Sequence, residues 1–480
     1  MTAAVPGGGA AERAARRRAL LAAPAGARVA VLGLGVAGRA MALHLRRRGA
    51  QVFGLDARPL GPAELPELVA AGVTLAGPAT PALLAQMEGL CLAPGVDPRL
   101  PMVQATRTRG CPIFGELALA GRLPRPVLAI TGTNGKSTTT ELAAALVRGC
   151  GRSAFAGGNL GTPILTWLDA GAAADVAVLE LSSYMLEEAE GFTCDAAVIL
   201  NLTPDHLERY ADLAAYAAAK GRLLATLSTT GTAVLNADDP QVRALSGGCR
   251  ARLLWFSARG GALPGDGVRL LDGAWVGEGA LAAWGGLELA QPHLLGQHNR
   301  ENALAACLGI YALGLADRAA QLAPAYAAFA GLPHRLQRVG EVAGVTYIND
   351  SKATNDAAAA TGVRAVVGPL VLLVGGRDKG GGYAELLAAL RGRPLRAVVA
   401  YGAAAPILAA AFAAGAPALP LHRAADLAAA CAVARRLAQA GDTVLLSPAC
   451  SSFDAFTDYT QRGAAFAGWV AAQGGRDVEA

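Results

Sequence analysis

The sequence predicts an α/β protein of three domains, each built on a mostly parallel sheet. Apolar strands alternate with helical stretches along most of the chain, which is the order that parallel sheets require. Two of these strands run directly into glycine-rich loops. The length of 480 residues is too great for one hydrophobic core and agrees with two to four domains. We therefore expect several α/β domains in succession.

Residues 1–27 precede the first predicted strand and are rich in arginine. Residues 1–28 hold five arginines and one glutamate, so most of the net charge of +5 lies there and the remainder is close to neutral. No basic face therefore indicates nucleic acid. The apolar stretch ALLAA is too short for the core of a signal peptide and is followed by Pro24. We expect residues 1–27 to be a disordered extension on a cytoplasmic protein.

The composition indicates a globular protein from a reducing compartment. Hydrophobic residues make up 53% and charged residues 16%, with alanine supplying much of the apolar fraction. The long uncharged run from Tyr401 to Leu421 contains three prolines. We interpret it as a strand end, a helix and a loop, and not as a membrane span. Eight scattered cysteines without a C-x-x-C motif argue against a disulfide framework or a metal cluster.

The first predicted domain, residues 28–123, opens with a βαβ unit of the dinucleotide-binding type. Gly33, Gly35 and Gly38 form G-x-G-x-x-G after an apolar strand, and a second strand ends at Asp56. The glycines allow a backbone turn to approach a pyrophosphate at a helix N-terminus. The pattern predicts a Rossmann-like domain that binds a nucleotide or a similar phosphate. It leaves open an NAD-dependent dehydrogenase and a scaffold that binds nothing.

The second predicted domain, residues 124–330, carries a shortened phosphate-binding loop. The strand VLAI runs into ITGTNGKSTTT, and in the usual pattern G-x-x-x-x-G-K-[ST] the first glycine would fall at Ile130. The flanking strand and helix still indicate a P-loop ATPase-like parallel sheet. Such a loop supplies backbone N–H groups, a lysine for the phosphates and a hydroxyl for Mg²⁺. The candidates for these roles are Gly132, Gly135, Lys136, and Ser137 or Thr138.

Three further polar residues of the central region are candidates for the site, although each could also be an ordinary surface residue. Glu180 lies at the carboxyl end of a strand, where it could bind Mg²⁺ or simply be solvated. His206 follows the next strand, and the two side chains could meet over the phosphate loop. Lys220 lies in the alanine-rich helical stretch LAAYAAAKGRLL, and from its surroundings alone we interpret it as a surface lysine.

The third predicted domain, residues 331–480, is another Rossmann-like α/β region. Its strands VTYIND, LVLLVGG, LRAVVAYG and DTVLLSP alternate with alanine-rich helices. Small polar and charged residues follow these strands, and together they suggest a wall that binds anions. They include Arg335, Asp350, Lys352, Thr354, Asn355, Lys379, Ser447, Ser451, Ser452, Asp454 and Tyr459.

The ordered set of motifs resembles the Mur ligases of peptidoglycan synthesis. The motifs are TGTNGKST, GGNLGTP, ELSSY, NLTPDHLERY, NADD, GQHNRENALAA, HR, NDSKATN and SPACSSFD. The last two, with the GGRDKG loop, look like the member that adds D-glutamate. The resemblance covers about residue 28 to the C-terminus. Tyr459 stands where the family often has an apolar aromatic residue, and the extension 1–27 has no counterpart.

The resemblance implies an ATP-dependent ligase that joins D-glutamate to UDP-N-acetylmuramoyl-L-alanine through an acyl phosphate. It implies that the UDP substrate binds at Gly35, Val36, Ala37, Asp56, Arg58 and Asn159. It implies that ATP binds at Gly132, Thr133, Asn134, Gly135, Lys136, Ser137, Thr138, Asn302, Arg335 and Asp350. D-glutamate is expected at Thr354, Lys379, Ser451, Ser452 and Tyr459. Two Mg²⁺ are expected at Ser137, Glu180, His206 and Lys220.

The resemblance also changes the interpretation of Lys220, which matches a lysine that the family carries as a carbamate. We expect Lys136, His206 and Lys220 to be catalytic, in a monomer that binds neither nucleic acid nor membrane. Three alternatives remain at this point. They are the NAD-dependent dehydrogenase, a sister ligase that adds L-alanine, a diamino acid or glutamate to folate, and a nucleotide-binding module without catalysis.

Overall fold

The computed structural model of the chain describes residues 10–206, 209–285, 296–380, 382–416 and 418–474. The chain divides into two compact units. One comprises Met1–Glu288 with Glu301–Ala325, and the other comprises Leu289–Arg300 with Tyr326–Ala480. The first unit contains two sheets and the second contains one. The predicted class of a three-sheet α/β protein is confirmed, while the predicted domain boundaries remain a proposal.

The N-terminal extension is not wholly disordered, because helix α1 spans Ala10–Ala22. Alanine, leucine and arginine, which dominate this stretch, are strong helix formers. Leu20 and Leu21 pack against the core of the N-terminal sheet, and Arg17 forms an ion pair of 3.0 Å with Glu190. The prediction of disorder is therefore wrong for residues 10–22, and residues 1–9 lie outside the described residues. Composition alone did not reveal that the helix has a surface to pack on.

The N-terminal sheet is entirely parallel, in the order β3-β2-β1-β4-β5. Its strands are β1 (Arg28–Leu32), β2 (Gln51–Leu55), β3 (Thr74–Gly77), β4 (Gly89–Leu92) and β5 (Ile113–Phe114). The accompanying helices are α2 (Val36–Arg47), α3 (Pro66–Ala70), α4 (Pro81–Leu84), α5 (Pro101–Thr108) and α6 (Glu116–Ala120). The strand order reverses at β1, so the carboxyl end of β1 is the expected ligand position.

The central sheet has eight strands in the order β13-β12-β11-β10-β9-β6-β8-β7, and only the β12–β13 pair is antiparallel. The first four strands are β6 (Val127–Thr131), β7 (Ala154–Gly158), β8 (Val176–Glu180) and β9 (Cys194–Ile199). The others are β10 (Leu227–Asn236), β11 (Arg252–Ser257), β12 (Gly267–Leu271) and β13 (Ala274–Glu278). The helices are α7 (Lys136–Gly149), α8 (Ile164–Asp169), α9 (Ser183–Glu187), α10 (Leu213–Gly221), α11 (Pro240–Leu245), α12 (Gln297–Ala312) and α13 (Ala323–Ala327).

The C-terminal sheet has six strands in the order β14-β15-β19-β16-β17-β18, with β14 antiparallel to β15. The strands are β14 (Gln337–Val342), β15 (Val345–Asn349), β16 (Leu370–Gly375), β17 (Leu395–Tyr401), β18 (Leu421–Ala424) and β19 (Thr443–Ala449). The helices are α14 (Asp356–Ala365), α15 (Ala384–Leu390), α16 (Ala405–Gly415), α17 (Leu427–Leu437) and α18 (Tyr459–Ala472). The alanine-rich run thus ends β17 and forms α16, as predicted. Within the described residues no helix is long and apolar enough to cross a membrane.

The register of the central sheet brings the predicted phosphate-site residues to one edge. β6 lies between β8 and β9, with Ile130 opposite Glu180 and Thr131 opposite Ile199. All five residues of β6 and of β8 are buried, as expected for strands covered on both faces. The phosphate loop, Glu180 and the segment that follows Ile199 therefore emerge together at the carboxyl end of the sheet.

Candidate active site

The shortened phosphate loop is a tight turn that only glycine can make at two positions. Gly135 has φ +85° and is the N-cap of α7, without a capping side chain. A Cβ there would lie 2.2 Å from Oδ1 of the buried Asn302. At Gly132 a Cβ would lie 2.9 Å from the Cβ of Leu200. The turn therefore presents the N–H groups of α7 to an anion, with Asn302 beside it.

The side chain of Lys136 lies back across this loop. Its Nζ donates to the carbonyl oxygens of Gly132 at 3.0 Å and Thr133 at 2.8 Å. The backbone of the loop is held in turn by Asn201, whose Oδ1 accepts from the N–H of Asn134 at 2.8 Å. A rigid loop with an ammonium directly over it is suited to bind phosphates.

Lys220 is a buried residue of the same site, so the interpretation as a surface lysine is wrong. It is 2% exposed, and its Nζ donates to the carbonyl of Gly132 at 2.8 Å. Burial, together with the nearby charge of Lys136, lowers the pKa of Lys220 to about 7. The alanine-rich sequence around Lys220 gives no sign of this burial, because its partner Gly132 lies 88 positions away in the chain.

Glu180 is also buried, at 2% exposure, and is not the solvated carboxylate that was one alternative. Its Oε1 accepts a hydrogen bond of 2.7 Å from Nδ2 of Asn159. Its Oε2 is buried and has no hydrogen-bond partner among the described residues. An unsatisfied buried carboxylate oxygen costs free energy unless a cation or another donor binds it. The free Oε2 atom of Glu180 is therefore suited to bind a metal ion.

His206 follows β9 in a left-handed backbone conformation, with φ +55°. Its side chain is 41% exposed, and Nε2 lies 3.6 Å from Oδ2 of Asp205. Its ring lies 4.9 Å from the ring of Tyr184 and 6.2 Å from that of Tyr216. The described residues contain no ready-made cluster of three or more His, Cys, Asp or Glu ligands.

A cavity of about 830 Å³ lies at the carboxyl end of the N-terminal sheet and reaches the central sheet. The glycine-rich turn forms one wall. A Cβ at Gly38 would lie 1.7 Å from the carbonyl oxygen of Gly33, so helix and turn pack as the fingerprint requires. Asp56 accepts a hydrogen bond of 2.8 Å from the N–H of Leu34. The predicted residues that line the cavity are Gly35, Val36, Ala37, Asp56 and Asn159.

Arg58 stands apart from this lining. Its side chain is 68% exposed and forms an ion pair of 2.7 Å with Glu64. The structure therefore brings five of the six predicted UDP-site residues to one cavity and leaves Arg58 on the surface nearby.

The predicted acceptor residues are partly assembled in the second unit. Nζ of Lys379 donates to Oγ1 of Thr354 at 3.4 Å, and Oγ of Ser451 donates to the carbonyl of Arg377 at 3.0 Å. The latter contact joins the Lys379 loop to the turn after β19. Ser452, in the same turn, is buried, and Tyr459 begins α18.

Asp350, also in the second unit, is a buried carboxyl. It accepts hydrogen bonds from Oγ of Ser447 at 2.8 Å and from the N–H of Leu336 at 3.3 Å. Burial raises the pKa of Asp350 to about 7, against the opposing effect of Arg335. Asn302 belongs to the first unit, whereas Arg335 and Asp350 belong to the second.

Comparison with known proteins shows the family of this chain. Residues 27–115 match the MurD-like N-terminal domain of Mur ligases, residues 130–310 the Mur ligase middle domain, and residues 334–450 the Mur ligase glutamate ligase domain. A UDP-N-acetylmuramoylalanine–D-glutamate ligase of Myxococcus xanthus is 41% identical over 450 residues, covering 92% of this chain and 97% of its own. The chain belongs to the Mur ligase family.

Other relatives agree with this membership. A UDP-N-acetylmuramoylalanine–D-glutamate ligase of Anaeromyxobacter dehalogenans is 42% identical, covering 92% of this chain and 96% of its own. Among solved structures, a UDP-N-acetylmuramoyl-L-alanyl-D-glutamate–2,6-diaminopimelate ligase has a TM-score of 0.55 at 20% identity, covering 94% of this chain and 93% of its own. The folylpolyglutamate synthase of Mycobacterium tuberculosis, complexed with ADP, has a TM-score of 0.53 at 20% identity, covering 74% and 92%. These structural likenesses support the fold.

Membership of the Mur ligase family answers the dehydrogenase alternative. The G-x-G-x-x-G turn lies within the match to the MurD-like N-terminal domain. This pattern alone could not distinguish the two, because any ligand with a pyrophosphate can use the same turn.

Sequence reasoning missed two buried charged residues of this Mur ligase. Arg462 is fully buried, and its guanidinium donates to Oγ of Ser351 at 3.0 Å and to the carbonyls of Ser351 at 2.9 Å and Cys450 at 3.1 Å. It therefore ties α18 to the turn that carries Ser451 and Ser452. The helical spacing of Arg462, Phe466 and Val470 could have indicated this burial, because all three lie on the buried face of α18.

The second missed residue is Glu116, which lines the large cavity at 2% exposure. Its Oε1 accepts a hydrogen bond of 3.2 Å from the N–H of Leu165, at the start of α8. Burial raises the pKa of Glu116 to about 7. No sequence signal marked this residue, because one glutamate at the start of an apolar helix is ordinary.

Proposed function

We propose that this Mur ligase joins D-glutamate to UDP-N-acetylmuramoyl-L-alanine at the expense of ATP, in the synthesis of peptidoglycan precursors. The single observation that carries the proposal is the grouping of the buried Lys220 and Glu180 with the partly buried Lys136 around a phosphate loop. The names of the relatives, which are 41% and 42% identical over most of the chain, supply the substrates. The products are the amide, ADP and phosphate.

The UDP substrate occupies the 830 Å³ cavity in this proposal. The N–H groups at the start of α2 face the diphosphate, since a helix N-terminus favours anions. Asn159 lines the cavity and also holds Glu180, so the substrate carboxylate would approach the phosphate loop from this side.

A carboxylate is a poor acyl donor at neutral pH because oxide is a poor leaving group. Transfer of the γ-phosphoryl group from ATP to the carboxylate oxygen forms an acyl phosphate and leaves ADP. Such transfer depends mainly on positioning and on neutralising charge. Lys136 and the N–H groups of Gly132 to Thr138 supply both, and Asn302 contacts the loop from α12. His206 adds a polar group near this edge, and Arg335 and Asp350 are the ATP-binding residues proposed on the second unit.

Mg²⁺ would be held by Ser137, Glu180, His206 and a carbamate on Lys220, and it would neutralise charge on the phosphates. A bare ammonium at Lys220 would repel the ion, whereas a carbamate offers oxygen ligands. With a pKa of about 7, a large share of Lys220 is a neutral amine at physiological pH. That nitrogen can bond to the carbon of CO₂ and release a proton, which gives the carbamate.

The amine of D-glutamate then attacks the acyl carbon, phosphate leaves, and an amide remains. Lys379 is the proposed cation for a D-glutamate carboxylate. Thr354, Ser451 and Ser452 are the proposed hydroxyl donors, and Tyr459 is proposed to line one side of the pocket. The 3.4 Å contact between Lys379 and Thr354 supports this grouping. Charge-assisted hydrogen bonds of this kind are strong and directional.

We also propose the predicted division into an N-terminal extension (1–27), a UDP-substrate domain (28–123), an ATP domain (124–330) and an amino-acid domain (331–480). We propose in addition that the protein is a cytoplasmic monomer.

A panel of amino-acid acceptors tests the proposed substrate. The purified protein is incubated with ATP, Mg²⁺ and UDP-N-acetylmuramoyl-L-alanine plus one of D-glutamate, L-glutamate, L-alanine or a diamino acid. Mass spectrometry should find the amide with D-glutamate alone. Product with a different amino acid would reassign the chain to a sister ligase.

A further inference from the structure

Arg209 makes an unusually complete set of contacts for a residue that is not part of the phosphate site. Its side chain is 10% exposed and forms a two-pronged ion pair with Glu187, with Nε 3.2 Å from Oε1. Its guanidinium carbon lies 4.0 Å from the ring centre of Tyr184. Both partners belong to α9, which follows the strand that ends at Glu180. The arginine side chain is therefore held against α9.

The same guanidinium reaches the rim of the UDP-substrate cavity. Its Nη1 donates to the carbonyl of Val96 at 2.9 Å and to that of Pro94 at 3.4 Å. Pro94, Gly95, Val96 and Asp97 all line the cavity, on the loop after β4. The position of this loop matters for the glycine-rich turn, because Val96 already lies 2.7 Å from where a Cβ of Gly33 would be.

On its other side Arg209 is linked to His206. The N–H of Arg209 donates to the carbonyl of His206 at 2.9 Å. The ring of Tyr184 also connects them. Its centre lies 4.0 Å from the guanidinium carbon of Arg209 and 4.9 Å from the centre of the His206 imidazole. Arg209 thus contacts the loop of the substrate cavity through its side chain, and His206 through its backbone N–H and the intervening ring of Tyr184.

We infer that Arg209 is a positioning residue that couples the UDP-substrate cavity to the His206 segment. Substrate that orders the loop at 94–97 fixes the guanidinium through two carbonyls, and the guanidinium in turn fixes Tyr184 and His206. Binding of the UDP substrate and of the ATP analogue should then favour each other, by the same factor in both directions. The inference rests on the proposed function, because it takes the UDP substrate and ATP as ligands.

The test compares Arg209→Lys with a matched control, Arg222→Lys. Arg222 is exposed and also donates to Glu187, through the backbone carbonyl, but within the described residues it makes no hydrogen bond to the cavity loop. Lysine at 209 keeps the charge and loses the fork that serves Glu187 and Val96 together. A second variant, Glu187→Gln, loosens the same arginine from its other partner and covers the case in which Arg209→Lys folds poorly.

Calorimetric titration measures the dissociation constant of UDP-N-acetylmuramoyl-L-alanine with and without the ATP analogue AMPPCP and Mg²⁺. We expect the analogue to tighten substrate binding at least about fivefold in the wild type and in Arg222→Lys. In Arg209→Lys the factor should fall to near 1, and in Glu187→Gln it should fall in part. AMPPCP should bind Arg209→Lys alone as it binds the wild type.

Two outcomes overturn the inference, and a third concerns the function itself. An unchanged coupling factor in both Arg209→Lys and Glu187→Gln contradicts it, as does a wild type without coupling. A purely structural role would lower the melting temperature and leave the factor intact. If the wild type binds neither ligand, the proposed function fails first, and that result is distinguishable from loss of coupling.

Discussion

The Nζ atom of Lys220 donates a hydrogen bond of 2.8 Å to the carbonyl oxygen of Gly132, inside the phosphate loop. Because Nζ of Lys136 donates to the same carbonyl oxygen at 3.0 Å, two ammonium groups share one acceptor in a largely buried place. Their mutual repulsion and the burial of Lys220 both favour a neutral amine at this position. The arrangement explains how a lysine could become a ligand for a cation.

Replacing Lys136 with alanine should nearly abolish turnover without unfolding the protein. The loss of a cation from the transferring phosphoryl group costs several kcal/mol of transition-state stabilisation. Steady-state kinetics and a thermal melt measure the two effects. Retention of more than about a tenth of wild-type kcat, equivalent to under ~1.4 kcal/mol, would contradict the role.

Activity should depend on CO₂ through Lys220. Stripping CO₂ should lower the rate and bicarbonate should restore it, and the dependence should be stronger below pH 7, because protonation of an amine with a pKa of about 7 removes the nucleophile. Lys220→Ala should be nearly inactive with or without bicarbonate. Full activity of that variant would disprove the carbamate.

Glu116→Gln should stabilise the protein above pH 7 and leave it nearly unchanged near pH 4. The folded state raises the pKa of Glu116 from 4.5 to about 7, so it holds a proton that the unfolded state has lost. Stability therefore falls as pH rises between these two values, and glutamine removes that loss. One pKa unit corresponds to about 1.4 kcal/mol, so thermal melts should rise by a few degrees.

Asp175→Asn is the control for this experiment, with the opposite sign. The backbone N–H and the hydroxyl of Ser153 both donate to the Asp175 carboxylate, and these hydrogen bonds lower the pKa of Asp175. Its contribution is present above pH 4 and is lost on acidification, so the amide should not stabilise the protein at pH 8. A higher melting temperature for Asp175→Asn and not for Glu116→Gln would contradict the assignment.

Lys379→Ala and Ser452→Ala should raise KM for D-glutamate far more than KM for ATP. Loss of one charge-assisted hydrogen bond of about 1.5–3 kcal/mol predicts a roughly ten- to hundredfold increase. L-glutamate should fail in both variants and in the wild type, because inversion at the α-carbon moves the amine or a carboxylate out of reach. An unchanged KM for D-glutamate would move the acceptor site elsewhere.

The fold was predictable where hydrophobic patterns and turn residues mark the strands and helices. Strands such as VLAI, LVLLVGG and DTVLLSP are buried on both faces and read as continuous apolar runs, which matches β6, β16 and β19. The antiparallel pair β12–β13 was missed, since its residues are only partly buried and carry no strong alternation.

The site was predictable only where a motif marks it. Gly132, Gly135 and Lys136 belong to a loop whose chemistry is local, so the sequence reveals them. Lys220 lies 88 positions from its partner Gly132, and nothing near it in the chain indicates burial. The same reason hid Arg209, whose partners Val96 and Glu187 come together only in the folded chain.

The most direct measurement is phosphate release from ATP in the presence of Mg²⁺ and UDP-N-acetylmuramoyl-L-alanine, with and without D-glutamate. The account predicts sustained release when all three substrates are present, with one phosphate for each amide formed, and little sustained release when D-glutamate is omitted. Equal release with and without D-glutamate, or release without an amide product, would contradict it.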